Sequence, residues 1–131
     1  VDKFFKVDDG IYRSARPDEF GLIEALGIKS RLVLEDYLFR DEYPVDTFFH
    51  FPMSGFKMPT VDILKLNLRV IEQAKKPLLI NCQHGVDRTG IVVAAYSIKV
   101  QGWSINSAWE EAQRIGMSKF IWWWKECLET I

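Results

Sequence analysis

The sequence is short of several things, and each shortage removes a class of answer. It holds two cysteines, Cys82 and Cys127, so no disulfide framework can staple the fold and stability must come from an apolar core. It has no excess of either charge. Seventeen basic side chains against 18 acidic ones leave a net charge of -1 and a pI of about 6.2, with no global attraction to nucleic acid or an anionic membrane. The apolar runs are far too short to span a bilayer. There is no low-complexity tract and no repeat at solenoid periods. The chain opens on Val1 rather than methionine, which points to trimming or processing, so the lack of a leader leaves cytoplasm and periplasm both open.

What is present suits one domain over residues 1–131: the chain is 48% hydrophobic and long enough to close a core. Phe4 to Ser14 reads as a hairpin around Asp9-Gly10. Pro17-Asp18 opens a helix with Phe20, Ile23 and Leu26 on one side and Gly27 as its stop. Strands are expected at Ser30–Glu35 and Thr47–Phe51, separated by a charged connection from Asp36 to Pro44. Pro52 to Pro59 is a loop. Thr60 caps a helix running to Lys75-Lys76, and Pro77 starts the apolar strand Leu78–Asn81. Thr89–Gln101 and Ser104–Arg114 are helices closed by Gly102 and Gly116. Ser118 caps a last helix whose apolar face is Phe120, Trp124, Cys127, Leu128 and Ile131. Of Trp122, Trp123 and Trp124, core packing accounts for one or two. The alternation of strands and helices predicts an α/β fold: a central, mostly parallel sheet flanked by helices.

Chemistry concentrates in "NCQHGVDRTG", Asn81 to Gly90. In open α/β sheets ligands sit at the carboxyl ends of strands, and helix N-termini attract anions. Cys82 ends a strand and Thr89-Gly90 begins a helix. A loop wrapped around a phosphate turns successive backbone N–H groups of Gln83, His84, Gly85 and Val86 inward, and Gly85 permits the turn. Positive potential there favours the nucleophilic thiolate. Arg88 offers a planar fork matched to two phosphoryl oxygens, and Thr89 can hydrogen-bond the sulfur as it leaves. Cys127 lies on an apolar helical face and reads as core.

"CQHGVDRTG" resembles the Cys-x5-Arg-Ser/Thr loop of the protein tyrosine and dual-specificity phosphatase superfamily. "IYRSARP", "ALGIK", "FPMSG", "KPLLINC" and "RTGIVVAAYSIKVQGWS" extend the likeness to small bacterial dual-specificity-type phosphatases across nearly the whole chain, most strongly from Leu78 to Ser104. The resemblance implies a dual-specificity-phosphatase-like fold and no metal or other cofactor. It also implies a mechanism in which Cys82 attacks phosphorus to form a phosphocysteine, Arg88 binds the phosphate and a carboxylic acid protonates the leaving oxygen. The substrates it implies are phosphotyrosine or mixed phosphoproteins, with inositol phosphates or phosphoinositides next. RNA 5′-triphosphates come third, disfavoured by the acidic pI. A degenerate, non-catalytic phosphate-binding module is the competing reading. No nucleic-acid partner is expected, and the oligomeric state is not legible.

Two departures from the family pattern bear on rate and substrate. Asn81 stands where most relatives have histidine before the nucleophile; Asn-Cys followed by Asp-Arg-Thr resembles the Sac-type phosphoinositide phosphatases. The acid is the second. Relatives place an aspartate on a separate upstream loop, but "TFFHFPMSGFKMPT" holds no carboxylate. Asp87 is the leading candidate, as in myotubularin-type lipid phosphatases, with a loop-holding role as its alternative. Asp62 fits a helix first turn, and Asp41, Glu42 and Asp46 fit a solvated surface. Lys57 is a candidate substrate contact, His84 a possible one, and Arg13 and Arg16 candidates for a rim. His50 reads as structural, and Glu110 and Glu111 as a solvated face.

Overall fold

The Asp9-Gly10 turn folds the amino-terminal segment back on itself, pairing β1 (Phe5–Asp8) antiparallel with β2 (Ile11–Ala15). Gly10 takes a positive φ of 71°, which glycine adopts without a Cβ clash. This computed structural model describes residues 1–36 and 45–131. Of the charged connection expected from Asp36 to Pro44, all but Asp36 lies outside the described residues, Asp41 and Glu42 included.

β3 (Ser30–Val33), β4 (Thr47–His50) and β5 (Leu78–Cys82) complete a five-stranded sheet in the order β1-β2-β5-β3-β4, parallel except at the β1–β2 edge. The strand that carries Cys82 is therefore central, and all five of its residues are buried. Such strands read as continuous apolar runs because helices cover both faces.

Side chains alternate across the sheet, and the alternation separates two cores. Ile11, Leu32, Leu78, Ile80 and Cys82 pack on the larger face, beneath α2 (Val61–Gln73), α3 (Arg88–Lys99), α4 (Ile105–Ile115) and α5 (Lys125–Glu129). Leu79 faces the other way, into a smaller cluster with Ile23 and Ile28 around α1 (Gly21–Ala25). Thr60 and Ser104 cap α2 and α4, accepting from the N–H groups of Ile63 at 3.2 Å and Ser107 at 3.1 Å. Each cap satisfies a donor that the helix cannot, an effect worth roughly 1 kcal/mol.

Two expectations need correction. The first helix does not open at Pro17-Asp18; it starts at Gly21 and lasts little more than a turn. At Arg16 the backbone is still held to the neighbouring loop, its N–H donating to Gln83 O at 3.1 Å. The last helix is two pieces, a 3-10 helix over Lys119–Trp124 and then α5, with a non-helical Ile121 between turns. In 3-10 winding, residues three apart stack on one side. Ile121 and Trp124 therefore turn inward, and Phe120, expected on the apolar face, is 87% exposed. Trp124 is fully buried, whereas Trp122 is exposed and meets Trp123 edge-to-face at 6.0 Å.

Candidate active site

Parallel strands leave the sheet at one end, and there β5 delivers Cys82 into the turn that leads to α3. Gly85 sets the shape of that turn. Its φ is +72°, and a Cβ there would stand 2.4 Å from Ala15 N and 2.6 Å from Ser14 C. No side chain fits, so the turn rests directly on the backbone of β2. The Gly85 carbonyl accepts from Arg13 Nη2 at 3.0 Å.

A cleft of about 300 Å³ opens over this turn, lined by Cys82, Gln83, His84, Val86, Asp87 and Arg88, with Asp36, Gly55 and Phe56 closing the other side. A larger cavity, about 740 Å³, lies among α2, α3 and the start of β2 and shares none of these residues. Volume alone would have selected the wrong place.

Within the cleft Arg88 is nearly buried. Its Nη1 donates to Asp36 Oδ1 and to Met53 O, each at 3.2 Å, so its fork is held from two other segments. Asp87 lines the wall, and its Oδ1 accepts from Ser118 N at 2.8 Å, tying the turn to the connection after α4. Thr89 is fully buried with Oγ1 unpartnered among the described residues. Gln83 and His84 also border a second depression with Arg16, Asp18 and Lys3.

Other candidates are placed elsewhere. Lys57 lines a separate depression with Pro52, Met58 and Pro59 and is not among the residues lining the Cys82 cleft. Asp62 keeps its place in the first turn of α2, and Asp46 pairs with Lys75 at 3.8 Å. Glu111 pairs with Arg114 on α4, as a solvated face would. His50 Nε2 meets Glu35 O at 2.7 Å.

Arg13 does not form the rim expected of it, whereas Arg16 borders the depression beside Gln83 and His84. Arg16 grips the buried Glu35 carboxylate with both Nε and Nη2, at 2.8 to 3.1 Å. Arg13 is 2% exposed, and burial pushes its guanidinium down to about 10, opposed by Cys82 and by Glu111. That still leaves it charged at neutral pH, on the same face of the sheet as Cys82.

The second cysteine behaves differently. Cys127 Sγ donates to Trp124 O at 2.9 Å, and burial raises its thiol to about 11, which keeps it protonated and inert.

Four residues in or behind the cleft escaped the sequence: Asp36, Phe56, Arg31 and the interior placement of Arg13. Two left a signal, a charged side chain inside an apolar strand in "YRSA" and "SRLVL". Asp36 and Phe56 left none, because only the order of the strands brings them to Cys82.

The tyrosine phosphatase family model matches residues 1–122. Among curated relatives, an inositol diphosphatase of Oryza sativa subsp. japonica is 35% identical over 88% of this chain and 58% of its own length. The dual specificity protein phosphatase TpbA of Pseudomonas aeruginosa is 31% identical over 86% of this chain and 54% of its own. The chain thus spans a little over half the length of these relatives. Among solved structures, TpbA superposes with a TM-score of 0.81 at 26% identity, covering 98% of this chain and 84% of that one. The core catalytic domain of the PP-IP phosphatase SIW14 from S. cerevisiae superposes with a TM-score of 0.76 at 28% identity, covering 98% and 84%.

Proposed function

The chain belongs to the tyrosine phosphatase family, and from that premise we propose that it hydrolyses phosphate esters through a phosphocysteine intermediate. The observation that carries the proposal is the cleft itself: Cys82 at the end of the central strand, the turn of Gln83 to Asp87 around it, and the Arg88 fork closing the circle. In the first step the Cys82 thiolate attacks phosphorus as the ester P–O bond breaks, and the departing oxygen takes its proton from water. In the second, water attacks the phosphocysteine, the S–P bond breaks, and the thiolate returns with inorganic phosphate released. Arg88 holds two phosphoryl oxygens through both steps, and Thr89 Oγ1, unpartnered and buried, supplies a hydrogen bond to the departing sulfur.

The leaving group decides the substrate class. Among the described residues the carboxylates lining the cleft are Asp36, engaged with Arg88, and Asp87, engaged with Ser118. Gly55 and Phe56 occupy the wall contributed by the 52–59 loop, so no carboxylate from that loop stands over the leaving oxygen. A phenol departs with far less help from an acid than an aliphatic alcohol does. We therefore place phosphotyrosine first among protein substrates and phosphoserine well behind it. A second reading rests on the same observation: a phosphoanhydride releases phosphate, a good leaving group, and relatives named as inositol diphosphatases span 85–90% of the chain. An inositol diphosphate is the second substrate class.

The test is hydrolysis of an aryl phosphate by wild type and Cys82→Ser, with vanadate as inhibitor. It is followed by a panel of phosphotyrosine peptide, phosphoserine peptide and inositol diphosphate. Activity lost in Cys82→Ser supports the proposal. If wild type and variant are equally inert while both bind phosphate, the protein is a phosphate-binding module instead.

A further inference from the structure

The turn after Cys82 is held against β2 by contacts of different kinds. The backbone N–H of Arg16 donates to Gln83 O at 3.1 Å. Gly85 lies against the main chain of Ser14 and Ala15, where a Cβ would stand 2.4 Å from Ala15 N. A side chain supplies the remaining tie: Arg13 Nη2 donates to Gly85 O at 3.0 Å, from a residue that is 2% exposed.

Holding one carbonyl does not need a charge, and a neutral donor would do it with less desolvation. Among the described residues the Arg13 guanidinium makes this hydrogen bond and no salt bridge, and its Nε is buried without a partner. The negative groups that act on it are the ionised Cys82 and Glu111 of α4, and Glu111 is itself paired with Arg114. A buried cation so short of counter-charge favours an anion nearby.

A trans peptide points its C=O and its N–H in opposite directions. With Gln83 O held toward β2, the His84 N–H is turned away from β2. With Gly85 O held on Arg13, the Val86 N–H is turned away from Arg13. His84 and Val86 line the cleft, whereas Arg13 does not. Neither N–H donates to another group among the described residues.

We propose that Arg13 is a positioning residue for oxyanion binding: by holding the Gly85 carbonyl behind the turn, it presents the Val86 N–H to a phosphoryl oxygen in the cleft. The Arg16 backbone does the same for the His84 N–H without using a side chain. The proposal rests on the phosphatase reading for its purpose, although the bond to Gly85 does not. Arg13 acts through the peptide and touches no substrate.

Amide NMR during titration with inorganic phosphate reads the turn whether or not the protein hydrolyses anything. Failure here is thus distinguishable from failure of the phosphatase reading. In wild type, phosphate is expected to move the amide protons of both His84 and Val86 downfield. In Arg13→Met the Val86 shift should fall by about half or more while His84 keeps most of its own, and phosphate should bind roughly tenfold more weakly. General damage to the fold would diminish the two amides alike. A folded Arg13→Met with the wild-type Val86 response, equal losses at both amides, or a wild type in which neither amide moves would overturn the inference. Where Arg13→Met does not fold, Arg13→Gln decides, since its shorter side chain keeps a polar end but withdraws the donor from Gly85 O. An undiminished Val86 response in Arg13→Gln sinks the inference; a loss at Val86 with His84 retained sustains it.

Discussion

Arg88 has two partners to release or share when a phosphate arrives, and they differ. Met53 O is a main-chain acceptor of a buried residue, whereas Asp36 is a carboxylate on a side chain 63% exposed. A dianion that takes the Arg88 fork meets Asp36 both as a competitor and as a like charge. Removing that charge should tighten anion binding. Asp36→Asn is expected to lower the inhibition constants of vanadate and phosphate about three- to fivefold, the scale of one partly exposed ion pair. Unchanged constants would mean that Asp36 swings clear at no cost. Asp87 poses the complementary question. As an anchor through Ser118 it should matter to every substrate, so Asp87→Ala is expected to slow aryl and alkyl phosphates in parallel. Asp87→Asn, which keeps an acceptor for the Ser118 N–H, should stay close to wild type. A loss confined to alkyl phosphates in Asp87→Asn would make Asp87 the acid. At this scale the sequence was generous, because Cys82, Gly85, Arg88 and Thr89 are local to one turn and their spacing carries their geometry.

Elements decide what the turn rests on. Gly85 touches the backbone of β2 so closely that even a methyl group collides with main chain, which cannot rotate away as a side chain can. Gly85→Ala combines that collision with a positive φ. It should destabilise the protein by roughly 3 kcal/mol or more, read as the midpoint of urea unfolding, and should abolish hydrolysis. A second tie joins β1 to α3: Tyr96 OH donates to Asp8 Oδ2 at 2.7 Å. This bond, with smaller help from the Asp9 backbone N–H, lowers the Asp8 carboxyl below its usual range. Burial first, and then the bond to Asp8, push the Tyr96 phenol up to about 12. The signs follow. The Asp8 contribution is present above the ordinary carboxylate range and is lost as pH falls through its lowered value. The Tyr96 contribution is present below about 10, the ordinary phenol value, and is lost as pH rises toward about 12. The difference in melting temperature between wild type and Tyr96→Phe should be widest near neutrality and narrow on both flanks. A constant difference across pH would deny the bond. The helix caps at Thr60 and Ser118 were legible because capping is local. The split last helix was not, since 3-10 and α winding differ by a fraction of a residue per turn and Trp124 seeks the core under either.

For the whole molecule, strand order governs. The sequence pattern identifies a hairpin and three further strands, but β5 lies between β2 and β3, and no periodicity records that insertion. It brings Arg13 and Gly85 together from one side and Arg31 and Asn81 from the other, so the interior placement of Arg13, expected at the rim, and Arg31 altogether escaped the functional reading of the chain. The same insertion couples the amino-terminal hairpin to the latest strand. We propose that residues 1–131 fold as one cooperative unit. Heating should give a single calorimetric transition, with Trp and far-UV signals lost together; two separated transitions would divide the chain.

The tie between Asp87 and Ser118 has an optical consequence. Ser118 begins the 3-10 helix, and just beyond it stand Trp122 and Trp123, one indole largely in water and the other at its edge. Indole emission follows the polarity around the ring. An oxyanion settling against the turn is expected to shift Asp87 and, through Ser118, the short segment that carries the two rings. A vanadate titration should then change the tryptophan emission without any label, and an unchanged spectrum would deny the coupling.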